Sequence, residues 1–227
     1  MSNREVWERE YNEFKLLVKA REARPTSDFV RFLRWLKKTE GWEAAGQKVL
    51  DLGSGTGRNA IYLASLGAEV VGLELASGAL ELAQARAAAD KLEFLRHDIG
   101  APYPFPDAHF DLALDVTSSN SLTEKEREIH LAETRRVLRP GGWFFVRALC
   151  KDGDKNAQNL LKKFPGPEPD TYVMPELGLT ERVFGEVDFR ALYGRYFSLE
   201  KLIKKETHTL FNGRAYRRRF WLAYFKR

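Results

Sequence analysis

The sequence predicts a single α/β domain built on a doubly wound, mostly parallel sheet. Three observations carry this. Between residues 48 and 149, short apolar runs alternate with helical patterns, the order that gives a parallel sheet with helices on both faces. The first run, Val49-Leu50-Asp51-Leu52, opens through Gly53-Ser54-Gly55-Thr56-Gly57 into a helical stretch, a form in which a ligand touches bare backbone. Near the C-terminus, Asn212-Gly213 separates two strand-like segments, so the sheet ends in an antiparallel pair.

The elements follow in order. Residues 4–22 carry Val6, Trp7, Tyr11, Phe14, Leu17 and Val18 at helical spacing among charges, an amphipathic helix. Pro25-Thr26-Ser27-Asp28 breaks it and caps a second helix to about Lys38, with Phe29, Phe32, Leu33, Trp35 and Leu36 apolar. Strand 1 is Lys48–Leu52, followed by a helix over Arg58–Leu66 that Gly67 closes. Strand 2 is Glu69–Glu74, and Ser77 caps a helix through about Ala89. Strand 3 is Leu92–Arg96, and Pro102, Pro104 and Pro106 hold an extended connector to strand 4, Phe110–Val116. A helix over Glu124–Leu138 leads through a Pro140-Gly141-Gly142 turn into strand 5, Trp143–Leu149. Beyond it lie a short helix at Asp154–Phe164, a stiff proline loop at 165–169, a helix at Val187–Arg195, and strands at Phe197–Lys205 and Ala215–Phe225. The expected division of residues 1–227 is N-terminal helices (1–41), a core (42–149), an insertion on the ligand side of the sheet (150–187), and a C-terminal helix and hairpin (188–227).

Composition narrows the class. With 227 residues, 44% of them hydrophobic, the chain can bury a full core. No apolar run approaches the roughly 20 residues of a membrane span, and the N-terminus lacks a signal-like apolar segment. The single cysteine, Cys150, excludes an internal disulfide, reads as a small core residue and fits a reducing cytoplasm. The net charge of +5 is modest for this length and does not by itself indicate a nucleic-acid binder. Its densest cluster, Arg217-Arg218-Arg219, sits on a strand, so its side chains alternate between faces and read as a solvated edge. The four histidines lack metal-ligand spacing, and no metal is expected.

Chemistry-bearing residues gather where the strands end. A dinucleotide fingerprint places its third glycine three residues after the second; here Arg58 holds that position and Gly57 comes one residue earlier. With Asp51 at its entrance, the loop suits a ligand without phosphates and with positive charge. Glu74 ends strand 2, positioned to accept hydrogen bonds from two vicinal ribose hydroxyls. His97-Asp98-Ile99 follows strand 3, where Asp98 can accept from an adenine amino group. Asp115-Val116-Thr117-Ser118-Ser119-Asn120 follows strand 4. In a doubly wound sheet these ends converge on one crevice.

Over residues 42–149 the chain resembles the class I S-adenosylmethionine-dependent methyltransferases. The resemblance rests on the ordered set Val-Leu-Asp-Leu-Gly-Ser-Gly-Thr-Gly (49–57), Val-Val-Gly-Leu-Glu (70–74), His-Asp-Ile (97–99), Pro-Phe-Pro-Asp-Ala-His-Phe-Asp-Leu-Ala-Leu-Asp (104–115) and Arg-Val-Leu-Arg-Pro-Gly-Gly-Trp (136–143). It implies a Rossmann-like sheet of order 3-2-1-4-5-7-6 under an N-terminal helical lid, with S-adenosylmethionine as cofactor. It also implies that Gly53, Ser54, Gly55 and Gly57 pass the methionine part, with Arg58 and Asn59 opening the helix beside it. Asp51 would hold the amino group, directly or through water. Glu74 would bind the ribose, Leu75 would pack on the adenine, and Asp98 and Ile99 would bind its edge. Asp115 and Val116 would line the passage to the methyl group.

A sulfonium methyl is already activated, so positioning an in-line nucleophile, excluding water and, for some nucleophiles, removing a proton are the remaining tasks. By position, Asp115 is the first candidate to orient or deprotonate a substrate, followed by Asn120 and Arg147. Tyr11, Tyr172 and Glu176 are candidates to contact substrate from the lid and the insertion. No Asn-Pro-Pro-Tyr motif follows strand 4, and no cysteine pair is present. The leading expectation is therefore methylation of a small molecule at O, N or S by a monomer or homodimer. An RNA or protein methyltransferase, a non-catalytic cofactor-binding module and an aminopropyltransferase are the alternatives; the last lacks its usual acid pair around Thr117-Ser118-Ser119.

Overall fold

A computed structural model describes residues 2–13, 23–87, 91–211 and 213–227. Two helices come first, α1 (Asn3–Glu13) and α2 (Ser27–Glu40). The core follows as β1 (Lys48–Leu52), α3 (Arg58–Ser65), β2 (Glu69–Glu74), α4 (Ser77–Arg86), β3 (Leu92–Arg96), β4 (Phe110–Val116), α5 (Glu124–Val137) and β5 (Leu138–Leu149). The remainder is α6 (Lys155–Lys163), β6 (Thr171–Val173), β7 (Thr180–Arg182), α7 (Glu186–Gly194), β8 (Ser198–Phe211) and β9 (Arg214–Lys226). The main sheet has seven strands in the order β3-β2-β1-β4-β5-β9-β8, with β9 antiparallel to both of its neighbours. This is the expected order once β6 and β7 are counted; those two form a separate hairpin in the insertion. Their three residues each are too few to show a period.

Alternating residues feed two cores. Val49, Leu112, Leu114, Phe145, Leu222 and Tyr224 meet Phe29, Phe32 and Leu36 of α2 and Ala60 and Leu63 of α3 on one face. Leu50, Ala113, Phe144, Val146 and Phe225 meet Leu131 of α5 and Phe189 and Tyr193 of α7 on the other. Helix α5 starts from a full capping box: Thr123 accepts from the Glu126 N–H, and the Glu126 carboxylate accepts from the Thr123 N–H. A third cluster joins Val6 of α1 to Leu149, Tyr172, Met174, Leu179, Val183 and Phe220, fastening α1 and the insertion to the ligand end of the sheet.

Phe14, Leu17 and Val18 of the expected first helix lie outside the described residues. Three expectations needed revision. The helix expected through about Ala89 ends at Arg86, with Ala87 extended. Pro140-Gly141-Gly142 does not precede strand 5 but lies within β5, because Phe110 pairs with Leu138 and a bulge absorbs the register shift before Leu112 pairs with Trp143. The C-terminal hairpin is longer than expected. β5 pairs with β9 only as far as Phe220, so β8 and β9 project beyond the sheet toward the ligand side. Cys150 is a buried free cysteine, as its neighbours suggested. Among the described residues no helix is long and apolar enough to cross a membrane.

Phe32 is the hub of the α2 seam. Its ring lies 4.8 Å from Tyr224, 5.1 Å from Phe145 and 6.4 Å from both Trp35 and Trp143, centroid to centroid. Truncation leaves a cavity walled by rings that cannot collapse independently. Phe32→Ala is expected to cost roughly 3–5 kcal/mol in urea unfolding, whereas exposed Val187→Ala should stay within about 0.5 kcal/mol of the parent.

Candidate active site

The glycine loop is held from β2. Glu74 Oε2 accepts the Gly55 N–H at 2.8 Å, and Oε1 accepts the N–H groups of Leu75 and Ala76, each at 2.8 Å. Burial raises the pKa of this carboxyl, and those three donors oppose the rise. The sequence reading gave Glu74 two ribose hydroxyls. With three backbone donors in place, a carboxylate of about four acceptor sites keeps roughly one for a ligand. Gly53 has a φ of 67°, and a Cβ there would stand 2.5 Å from the Ser118 side chain. Glycine is required because two loops, after β1 and after β4, meet at that point. Arg58 and the buried Asn59 begin α3; Asn59 Oδ1 accepts the Thr26 N–H at 2.9 Å and ties α2 to the loop.

Helix α1 lies across this loop. A Cβ on Gly55 would stand 2.7 Å from the Tyr11 hydroxyl, and one on Gly78 would meet Asn12 and the Tyr11 backbone. Glu8 accepts the Ser77 N–H at 2.9 Å and the Ser77 hydroxyl. Arg4 pairs with Asp98, whose other oxygen accepts the Gly100 N–H at 2.9 Å. Asp98 is therefore shared with the lid and is not free for an adenine edge alone. On the far side, Asn3 exchanges hydrogen bonds with Thr180, and Arg9 donates to the Leu177 carbonyl at 2.8 Å. The expected lid is thus pinned at both ends, across strands β2 and β3 and onto the insertion.

The loop after β4 corrects two assignments. Asp115 is fully buried, accepts the Ser118 and Ser119 N–H groups at 2.9 and 3.2 Å, and pairs with the Ser119 hydroxyl. His130 Nε2 stands 3.6 Å from it, and the other ring nitrogen is 2.8 Å from the Tyr103 hydroxyl. Burial works to raise the Asp115 pKa, yet the His130 ring and the Ser119 and Ser118 donors hold it below the ordinary carboxylate range. Asp115 shapes the loop from inside and does not line the cavity. Asn120 is also buried, with Oδ1 accepting the Leu149 N–H at 3.2 Å. It is a brace between β4 and β5, not a substrate contact.

A cavity of about 1010 Å³ opens above these loops. Gly53, Ser54, Gly55, Arg58, Asn59, Glu74, Leu75, Asp98, Ile99 and Val116 line one part, as the sequence placed them. Trp7, Arg147, Leu149, Leu160, Met174 and Phe220 line the other. Tyr11 and Glu176 reach the cavity, with Glu176 at the exposed rim. Tyr172 does not: its hydroxyl donates to Glu181 at 2.7 Å and accepts from Arg218 at 3.2 Å inside the insertion. Arg218 and Phe220 were missed as cavity residues. The strand period put both on one face of β9, but not that the hairpin overshoots the sheet. The Arg217–Arg219 run alternates as expected, yet its middle member is buried at the cavity and is not part of a solvated edge.

Residues 49–142 match the family model described as a methyltransferase domain. The chain is 38% identical over 104 residues to the fatty-acid O-methyltransferase of Mycolicibacterium smegmatis, covering 45% of this chain and 37% of that protein. The chain thus spans well under half the length of that curated relative. Among solved structures, an S-adenosylmethionine-dependent methyltransferase from Methanosarcina mazei superposes with a TM-score of 0.69 at 24% identity, over 80% of this chain and 92% of that one. The 1,6-didemethyltoxoflavin-N1-methyltransferase of Burkholderia thailandensis, bound to 1,6-didemethyltoxoflavin and S-adenosylhomocysteine, superposes with a TM-score of 0.67 at 17% identity, over 99% of this chain and 86% of that one.

Residues 49–142 are thus similar to a methyltransferase domain. The solved neighbours are named for S-adenosylmethionine and S-adenosylhomocysteine, and the residues around the loop fit that group. Asp51 Oδ2 and Ser54 Oγ are buried without a hydrogen-bond partner, as is Nε2 of His97, which lines the cavity. Burial, reinforced by Glu74 and opposed by Arg58, pushes the Asp51 pKa up to about 7. Asp51 lies behind the loop, and neither it nor Gly57 lines the cavity, so the orphaned Asp51 oxygen would meet an ammonium group through water or a shift of the loop.

The Asp51 pKa, raised from 3.8 to about 7 in the folded chain, gives a signed expectation. The unfolded chain loses this proton first, so the Asp51 contribution to stability is full below about pH 4 and falls away as pH rises through 7. The stability difference between the parent and Asp51→Asn, read by urea unfolding without ligand, should shift against the parent across that window. Adding S-adenosylhomocysteine at pH 6 should release a proton from the parent and none from Asp51→Asn, seen as buffer-dependent heat in calorimetry.

Proposed function

We propose that the chain transfers the methyl group of S-adenosylmethionine to an oxygen, nitrogen or sulfur nucleophile of a small molecule. The observation that carries this is the single continuous cavity. At about 1010 Å³ it lies at the upper end of the range of roughly 300–1,000 Å³ usual for small-molecule sites, enough for a donor and an acceptor side by side. It begins at the glycine loop, is roofed by α1, and ends among apolar side chains of the insertion and hairpin.

The bound cofactor supplies an activated sulfonium methyl. The chain contributes position and dryness. Asp51, Ser54 and the loop backbone hold one end of the site. Trp7, Leu149, Leu160, Met174 and Phe220 keep water from the other. Asp115 and Asn120 fix the loop that carries Val116 and Thr117 along the cavity wall. The names of the two relatives, a fatty-acid O-methyltransferase and a toxoflavin N1-methyltransferase, denote small-molecule chemistry and support the same reading. An RNA acceptor is less favoured because the basic run is largely ion-paired: Arg217 and Arg219 share Glu206, and the buried Arg218 pairs with Asp154.

The test combines calorimetry and a methyl-transfer assay on extract fractions. S-adenosylmethionine and S-adenosylhomocysteine should both bind, and mass spectrometry should find the added methyl in the small-molecule fraction. Labelling confined to RNA or protein would overturn the acceptor class, and failure to bind either cofactor form would overturn the enzyme reading.

A further inference from the structure

We infer that the methyl acceptor bears a carboxylate on an apolar body, and that Arg147 binds this carboxylate. The inference rests on the methyltransferase reading above and extends it to the acceptor's charge.

Arg147 sits on β5, beside Val116 of β4 and Leu222 of β9 in register. Its side chain is only 15% exposed, and it lines the cavity. The guanidinium carbon lies 3.5 Å from the centroid of the Phe220 ring, so the plane is held against an aromatic face. Only Nε is engaged, donating to Asp28 at 3.3 Å. The two terminal nitrogens make no hydrogen bond to any described residue. A buried guanidinium with an unmatched edge is costly unless something pairs with it.

The local charge balance points the same way. Asp28 is the only carboxylate bonded to Arg147 among the described residues, and its second oxygen is paired with Lys205. One carboxylate thus faces two cations, leaving about one positive charge at the cavity wall. Arg58 and Arg218 stand close enough to add to the positive field, and burial with that field lowers the Arg147 pKa to about 10. Arg218 differs in being spent on Asp154 and the Tyr172 hydroxyl.

The walls set the remaining chemistry. Phe220 lies against Arg147, and the same cavity is lined by Trp7, Leu149, Leu160 and Met174, with the carboxylates Glu168, Glu176 and Glu181 also on its wall. A planar fork with two open N–H donors matches the two oxygens of a carboxylate. A neutral acceptor leaves the fork unpaired, and a cationic one meets repulsion.

The test uses the full chain saturated with S-adenosylhomocysteine and three probes of equal size: 4-phenylbutyrate, 4-phenylbutanol and 4-phenylbutylamine. By calorimetry the acid should bind at least tenfold tighter than the alcohol, with the amine weakest. Arg147→Gln should abolish that ranking, weakening the acid tenfold or more while the alcohol stays within about twofold. An alcohol or amine that binds as tightly as the acid, a panel in which nothing binds, or an acid preference that survives Arg147→Gln would overturn the inference. The parent's ranking decides the matter if the variant does not fold. Loss of S-adenosylhomocysteine binding with the acid preference intact would overturn only the methyltransferase reading.

Discussion

The Glu74 carboxylate is the interaction on which the ligand side of this molecule depends. A charged group at the end of a central strand is costly to bury, and here it is repaid by three backbone N–H groups drawn from two directions. One comes from the glycine loop after β1, and two come from the turn into α4. The carboxylate therefore fixes the separation of the two βα turns that face the cavity. It also sets the height at which Tyr11 can rest on Gly55, since that residue's N–H is held from beneath. The lid, the loop and the turn into α4 share one anchor.

Around that anchor, polar groups divide into those the protein satisfies and those it leaves open. Asp115 belongs to the first kind. Two backbone donors and a hydroxyl saturate it, and His130 and Tyr103 extend the network into the α5 core. Asp51 belongs to the second, buried with an oxygen that no protein group reaches. Arg147 is intermediate, engaged through one nitrogen only. Around the cavity, ligand chemistry is best read from the unsatisfied groups, because a buried polar atom without a partner is costly. By that measure the open Asp51 oxygen behind the glycine loop suits a cation, and Arg147 on the cavity wall suits an anion.

Much of this was legible in the sequence because it is local. The strand ends at Leu52, Glu74, Arg96 and Val116 follow from apolar runs meeting glycine or charge, and the parallel order follows from alternation. The residues of the first half of the cavity were found the same way, since each follows a strand directly. Legibility failed where a residue's role depends on its partner. Nothing local distinguishes Asp115, turned inward onto Ser118 and Ser119, from a carboxylate turned toward a ligand. Tyr172 looks like a loop residue until the β6–β7 hairpin buries it. Arg218 and Phe220 reach the cavity only because β9 runs past the end of β5, a matter of strand length that the side-chain period does not encode.

The same division bears on how such a cavity is entered. The main strands and their helices are locked into the two large cores, whereas the insertion packs in the smaller third cluster. Helix α1 joins that third cluster through Val6 and Trp7 and rests Tyr11 on Gly55, and it is otherwise held by polar contacts through Asn3, Arg4, Glu8 and Arg9. Exposed charged contacts of this kind add little net stability, because water replaces them when they break. Parting α1 from the sheet breaks fewer apolar contacts than moving a core strand or helix, and it uncovers the glycine loop, Ser77 and Asp98 together. A helix that mixes one buried apolar residue with many polar attachments is a poor core element. It is better suited to a roof over the cavity than to a wall of the core.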